Sequence, residues 1–168
     1  VNAVNKAKPT RKILEAVLGV HADARLPEYH SKTMRSHLAS KIGAVSAGEA
    51  SATTKGRVVL FTTCYGNRNE PVIGQDLAAV FEHNAIPVTL AQKEQCCCMP
   101  KLELGDLESV EKAKNANIPV LARLVDQGWD IVAPIPSCAL MFKQELPLIF
   151  PDDPQVKKVG EAIFDPFE

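Results

Sequence analysis

The stretch Ile86-Pro87-Val88-Thr89-Leu90-Ala91-Gln92-Lys93-Glu94-Gln95-Cys96-Cys97-Cys98-Met99-Pro100 decides the fold. Its first six residues form a short apolar run, introduced by the turn Asn84-Ala85, and read as a strand. Its end is a cysteine triplet that packing does not explain. In a strand Cys97 would point away from Cys96 and Cys98, and in a helix the three would fan over more than half the circumference. In a loop, adjacent thiols can converge on one metal centre. The stretch is therefore read as a strand followed by a thiol-bearing loop.

The same pattern occurs twice more. Arg57-Val58-Val59-Leu60-Phe61-Thr62-Thr63 is apolar on both faces, as a central parallel strand is, and it ends at Cys64. Asp130-Ile131-Val132-Ala133-Pro134-Ile135 is a third strand, and Cys138 follows it in Pro136-Ser137-Cys138. Helical patterns separate the strands. One runs from Pro71 to His83 with Ile73, Leu77, Val80 and Phe81 inward. Another starts at Asp106 with Leu107, Val110 and Ala113 on one face. Pro119 is expected to kink or restart that helix with Asn117 as cap, and Gly128 closes it. A last helix runs from Ala139 toward Leu146, stopped by Pro147, and the tail holds one weak helix from about Gln155 to Ile163. The order β-α-β-α-β-α predicts an α/β fold, a small three-layer domain with a parallel sheet. Such sheets bind ligands outside the carboxyl ends of their strands. Cys64, Cys96, Cys97, Cys98 and Cys138 would then reach one edge from three independent segments.

Upstream, residues 8–20 read as an amphipathic helix with Thr10 as cap and Gly19 as stop, and Ile13, Leu14, Val17 and Leu18 at helical spacing. A second helix is expected from about Glu28 to Lys41, with Met34, Leu38 and Ile42 on one face. Together they predict an N-terminal helical hairpin that packs on a partner surface. Residues 43–56 are almost wholly Gly, Ala, Ser and Thr, the composition of a flexible linker. The expected organisation is a helical segment at 1–42, a linker at 43–56 and a cysteine-rich domain at 57–168. The chain begins with Val1 rather than Met, which suggests a piece of a longer protein.

Composition narrows the function. A formal net charge of −1 with scattered basic residues gives no footprint for nucleic acid. The apolar run Ile13 to Leu18 is too short and interrupted for a signal peptide. No run approaches the roughly 20 residues of a membrane span, so membrane contact is expected only peripherally. Five cysteines is an odd number, unlike a secreted disulfide scaffold, and a reducing cytoplasm is the expected setting. Paired Cys-x-x-Cys zinc knuckles are absent. His21, His30, His37 and His83 lie away from the strand ends and are read as surface or helix-end residues. Three chemistries stay open on the residues alone: binding of Zn²⁺ or an iron–sulfur cluster, a redox dithiol, or inert cysteines.

Cys64, 31 residues, Cys96-Cys97, 40 residues and Cys138 resemble the cysteine-rich CCG domain of iron–sulfur oxidoreductases. That domain occurs in heterodisulfide reductase and in anaerobic glycerol-3-phosphate dehydrogenase, in one of the subunits of each. Thr63-Cys64-Tyr65-Gly66-Asn67 is similar to the family's strand end, and Pro136-Ser137-Cys138-Ala139-Leu140-Met141-Phe142-Lys143-Gln144-Glu145 to its final segment. The resemblance implies Cys64, Cys96, Cys97 and Cys138 as ligands of a 4Fe–4S-type cluster, with a noncubane form among the alternatives and Cys98 an optional extra. Zn²⁺ is the alternative occupant. Tyr65, Asn67 and Ser137 would stand behind the ligands. It further implies a non-catalytic electron-transfer part of an oxidoreductase, lying in the cytoplasm or against the inner face of the membrane. Its partners would be a flavoprotein dehydrogenase or other redox subunits and a second CCG domain, and its acceptor a quinone or a disulfide. Two residues depart from the family pattern: Cys98 stands where a Gly follows the cysteine pair, and Ile135 where the final pair has its first Cys.

Overall fold

The computed structural model describes residues 1–42, 56–92 and 94–168. The chain divides into two compact units, Val1–Ser31 and Lys32–Glu168. The expected linker lies outside the described residues except for Gly56.

The first unit holds α1 (Asn2–Lys6) and α2 (Lys8–Leu18). Gly19 ends α2 at φ +67, the left-handed conformation that glycine adopts without a Cβ penalty. Thr10 does not cap the helix. Pro9 already occupies the first turn, and the Thr10 hydroxyl donates to the Ala7 carbonyl at 2.8 Å. Arg11 is buried because its guanidinium satisfies three carbonyls of the returning loop, those of His21, Ala22 and Ala24. Ile13, Val17 and Leu18 stay exposed.

The second unit opens with α3 (Met34–Ile42), which starts six residues later than the sequence pattern suggests. Then come β1 (Val58–Leu60), α4 (Cys64–Arg68), α5 (Pro71–His83) and β2 (Val88–Leu90). Next are α6 (Met99–Glu103), α7 (Leu107–Asp126), β3 (Asp130–Val132) and α8 (Pro136–Leu140). A π-helical turn (Met141–Glu145), α9 (Leu146–Ile149), α10 (Pro154–Glu161) and β4 (Ile163–Phe164) complete it. All strands pair in parallel, in the order β2-β1-β3-β4. The weak tail helix is present, and the chain adds a fourth strand after it. Two residues are too short a run to carry an alternation signal.

Alternation along β1 sorts the core onto the two sheet faces. Val59 and Phe61 pack with Ile131, Ile118, Leu121, Met141 and Phe142, under α7, the π turn and α10. Leu60 packs with Val88, Met34, Leu38 and Ile42, under α3 and α5. The arrangement is therefore three-layered, and α3 belongs to one outer layer. Gly74 of α5 makes room for Met34, whose Cγ and Cε would lie 2.5 and 2.8 Å from an added Cβ. Val80, expected inward, faces solvent at 55% exposure. Phe61 and Phe142 meet edge to face at 5.2 Å, linking the end of β1 to the segment after Cys138.

Two helix breaks expected at prolines, the restart at Pro119 and the stop at Pro147, are absent. Pro119 lies inside α7 without ending it, and Asn117 is a buried interior residue rather than a cap. Asp106 is the cap, its carboxylate accepting from the Ser109 amide at 3.1 Å. Pro147 does not stop the last helix either. It lacks the N–H for an i−4 bond and crowds the carbonyl four residues back. The preceding turn widens, with the Leu146 amide bonding the Met141 carbonyl, and the helix continues through Pro147. Among the described residues, no helix is long and apolar enough to cross a membrane.

Candidate functional site

The strand order puts β1 between β2 and β3, so the crossover after β1 runs to one side and the crossover after β2 returns past β1 to the other. This is the switch point where open α/β sheets form a crevice beyond their carboxyl ends. All five cysteines follow β1, β2 or β3 in sequence.

Cys64 opens α4. The turn before it is made by Thr63, buried and at φ +59, whose hydroxyl accepts from the Gly66 amide at 2.9 Å. A β-branched residue at positive φ costs about 1–3 kcal/mol, and such outliers gather at functional sites. Cys96 and Cys97 lie in the irregular segment after β2. Cys98, at φ +68, is the N-cap of α6. The position at which the resemblance puts a Gly is left-handed in this chain, and Cys98 occupies it with a Cβ. Cys138 lies in the first turn of α8, its amide donating to the Ile135 carbonyl at 2.9 Å. Ile135 itself packs against the core.

The thiols meet in two pairs. Cys64 Sγ lies 3.5 Å from Cys96 Sγ, and Cys97 Sγ lies 3.1 Å from Cys138 Sγ. Cys64 is exposed, Cys96 and Cys98 are half-buried, and Cys97 and Cys138 are buried. Both distances are within thiol hydrogen-bonding range. Donation from Cys64 and then Cys97 pulls the Cys96 pKa well below the thiol range, aided by the Cys98 amide at 3.4 Å. Cys64 moves up as the donor to Cys96, and burial adds to this. Cys97 moves up as the donor to Cys138 and then to Cys96, again with burial. Cys138 moves down because Cys97 donates to it. Burial and the Cys96 charge oppose, while the Ser137 hydroxyl assists. Cys98 moves up through burial first and the Cys96 charge second. Donation within each pair favours the thiolate on Cys96 and on Cys138, the form that ligates metal.

Polar side chains from other elements fix the loops. Asn117 of α7 accepts from the Gln95 amide at 2.8 Å and donates to the Gln95 and Cys96 carbonyls at 3.3 Å. Glu94 accepts from the Thr62 amide at 3.1 Å and from the Thr62 hydroxyl, and it pairs with Arg35 of α3 at 2.8 Å. Asn67 accepts from the Arg35 amide at 3.0 Å, and Tyr65 is 41% exposed. Sequence reasoning missed Glu94, Arg35 and Thr62, and misassigned Asn117. Asn117 had a signal: it is an amide on a helix face otherwise built from Val110, Ala113, Ile118 and Leu121. Glu94 had none, since it lies in a segment without periodicity.

The thiol donors suit a soft-metal group, an iron–sulfur cluster or Zn²⁺. Among the described residues, no group of three or more His, Cys, Asp or Glu is placed to hold a single metal ion.

Residues 58–143 match the CCG family, a cysteine-rich domain. Over 148 residues the chain is 30% identical to one of the anaerobic glycerol-3-phosphate dehydrogenase subunits of Escherichia coli (strain K12), covering 88% of this chain and 36% of that protein. Over 109 residues it is 32% identical to lactate utilization protein A of Bacillus thuringiensis (strain Al Hakam), covering 65% of this chain and 44% of that protein. The same figures hold for lactate utilization protein A of Bacillus cereus (strain B4264). The chain therefore spans less than half the length of these relatives. No solved structure matches it.

Proposed function

The chain belongs to the cysteine-rich CCG domain family, and on that premise we propose that it is an iron–sulfur-binding, redox-related domain of a larger oxidoreductase. The carrying observation is the pair of thiol contacts, Cys64 with Cys96 and Cys97 with Cys138, assembled from three segments at one sheet edge. Cys64, Cys96, Cys97 and Cys138 would hold a cluster of the 4Fe–4S type. Such a cluster, when bound, supplies one-electron transfer at a potential set by burial and hydrogen bonding to its sulfurs. The chain's own residues would do the rest. The Ser137 hydroxyl would favour the Cys138 thiolate, Asn117 holds the loop that carries Cys96, and the buried pair would exclude water from one side of the site.

The relatives named as subunits and utilization proteins support an electron-transfer role beside other redox proteins. A flavoprotein dehydrogenase as donor, and a quinone or a disulfide as acceptor, is the finer form of this reading. A second CCG domain would face the exposed Cys64 side and complete the ligand set that Ile135 leaves short. Membrane contact would be peripheral, and the setting cytoplasmic.

Anaerobic reconstitution of single variants tests the proposal. Cys64→Ala, Cys96→Ala, Cys97→Ala and Cys138→Ala should each lose the broad visible absorbance of the cluster, while Cys98→Gly keeps it. Retention in any of the first four would remove that residue from the ligand set. Retention in all four would remove the site.

A further inference from the structure

Glu94 is a carboxylate only 11% exposed, two residues before Cys96, and burying an acid is costly unless its oxygens are paired. Its Oε1 takes both Arg35, at 2.8 Å, and the Thr62 hydroxyl, and the Thr62 amide donates to Oε1 at 3.2 Å and to Oε2 at 3.1 Å. Arg35 also donates to the Ala91 carbonyl at 2.5 Å, so the guanidinium ties the end of β2 to α3. Thr62 lies two residues before Cys64, and Glu94 two residues before Cys96. The carboxylate therefore spans the two chain segments that deliver one thiol each to the Cys64–Cys96 pair. Among the described residues nothing equivalent spans the segments that deliver Cys97 and Cys138, which meet inside the core cluster.

We propose that Glu94, anchored by Arg35, is a positioning residue that sets the spacing of Cys64 and Cys96. Groups behind metal ligands orient those ligands, and removing them costs about 10–100-fold in affinity. The inference rests on the cluster reading for its purpose, while its test needs no metal. The brace acts through hydrogen bonds more than through charge. Gln at position 94 still offers a carbonyl oxygen to the Thr62 amide and hydroxyl, and Ala offers nothing.

The test uses the full chain, metal-free, with Cys97→Ala, Cys98→Gly and Cys138→Ala, so that Cys64 and Cys96 are the remaining thiols. Equilibration with glutathione disulfide forms the Cys64–Cys96 bond and releases two glutathione thiols. The equilibrium constant reports how closely the fold holds the two sulfurs. Glu94→Ala should lower that constant at least about tenfold, with Glu94→Gln within about threefold of the parent. A control chain keeps Cys97 and Cys138 instead, with Cys64→Ala, Cys96→Ala and Cys98→Gly, and Glu94→Ala should leave its constant within about threefold. Equal constants for parent and Glu94→Ala overturn the proposal. So does a parallel loss in both chains, which would mark general loosening. Should Glu94→Ala not fold, Thr62→Val removes the hydroxyl contact of the brace while leaving its amide contact, and should lower the Cys64–Cys96 constant alone. No change there overturns the proposal too. Failure to bind iron would sink the cluster reading without touching this result.

Discussion

Asn117→Ala removes the clamp between α7 and the loop of Cys96. Three hydrogen bonds are lost, one at 2.8 Å and two at 3.3 Å. At about 1 kcal/mol each they contribute about 3 kcal/mol, and the better helix propensity of Ala returns about 0.5. The net loss is about 2.5 kcal/mol. For a chain of this size that lowers Tm by about 5–10 °C. In urea, with a slope of about 1.5 kcal/mol/M, the midpoint falls by about 1.7 M. Equilibrium unfolding of both proteins gives the number. Amide hydrogen exchange places it, because the Gln95 N–H loses its acceptor and should lose its protection. A stability loss below about 1 kcal/mol, or unchanged protection at Gln95, would refute the clamp.

Three further outcomes are expected. Cys98→Gly should raise stability by about 0.5–1 kcal/mol, since Gly accepts the left-handed conformation that Cys98 holds at φ +68; Cys98→Val should lower it, and urea midpoints compare the two. Gly74→Ala should lower stability by about 1–3 kcal/mol despite the helix propensity of Ala, because the new methyl group meets Met34 at 2.5 Å and closer; in a Met34→Ala chain the same change should cost less than it does in the parent. Asp106 has its pKa lowered to about 2, by the Ser109 hydroxyl first, then the Ser109 amide and Lys101. A depressed carboxylate stabilises the fold above its unfolded pKa of about 4, and that contribution disappears as pH falls toward 2. Asp106→Asn should therefore flatten the acid limb of a plot of urea midpoint against pH.

The parts of the fold legible in the sequence are those with a period. β1 and β3 announce themselves as apolar runs, and α5 is legible to its ends because Pro71 and His83 bound it. The meeting of the thiols follows from topology, since each cysteine segment ends a strand of one parallel sheet. Irregular backbone is not legible. Whether Pro119 breaks a helix depends on whether its turn can do without one N–H, which periodicity does not encode. The π turn before Pro147 is a response to crowding that appears only in three dimensions. Glu94 and Arg35, 59 residues apart, have no local pattern to betray their pairing. Asn117 is readable as a polar intruder on an apolar stripe. A cap is the wrong explanation because the loop it serves comes from another part of the chain.

The most direct test of the central claim is the iron and acid-labile sulfide bound per chain after anaerobic reconstitution, with zinc measured in the same sample. The cluster reading predicts iron and sulfide in near-equal amounts, several atoms of each per chain, and no stoichiometric zinc. Zinc without sulfide, or no metal in the chain even when a second CCG domain is supplied, would contradict it.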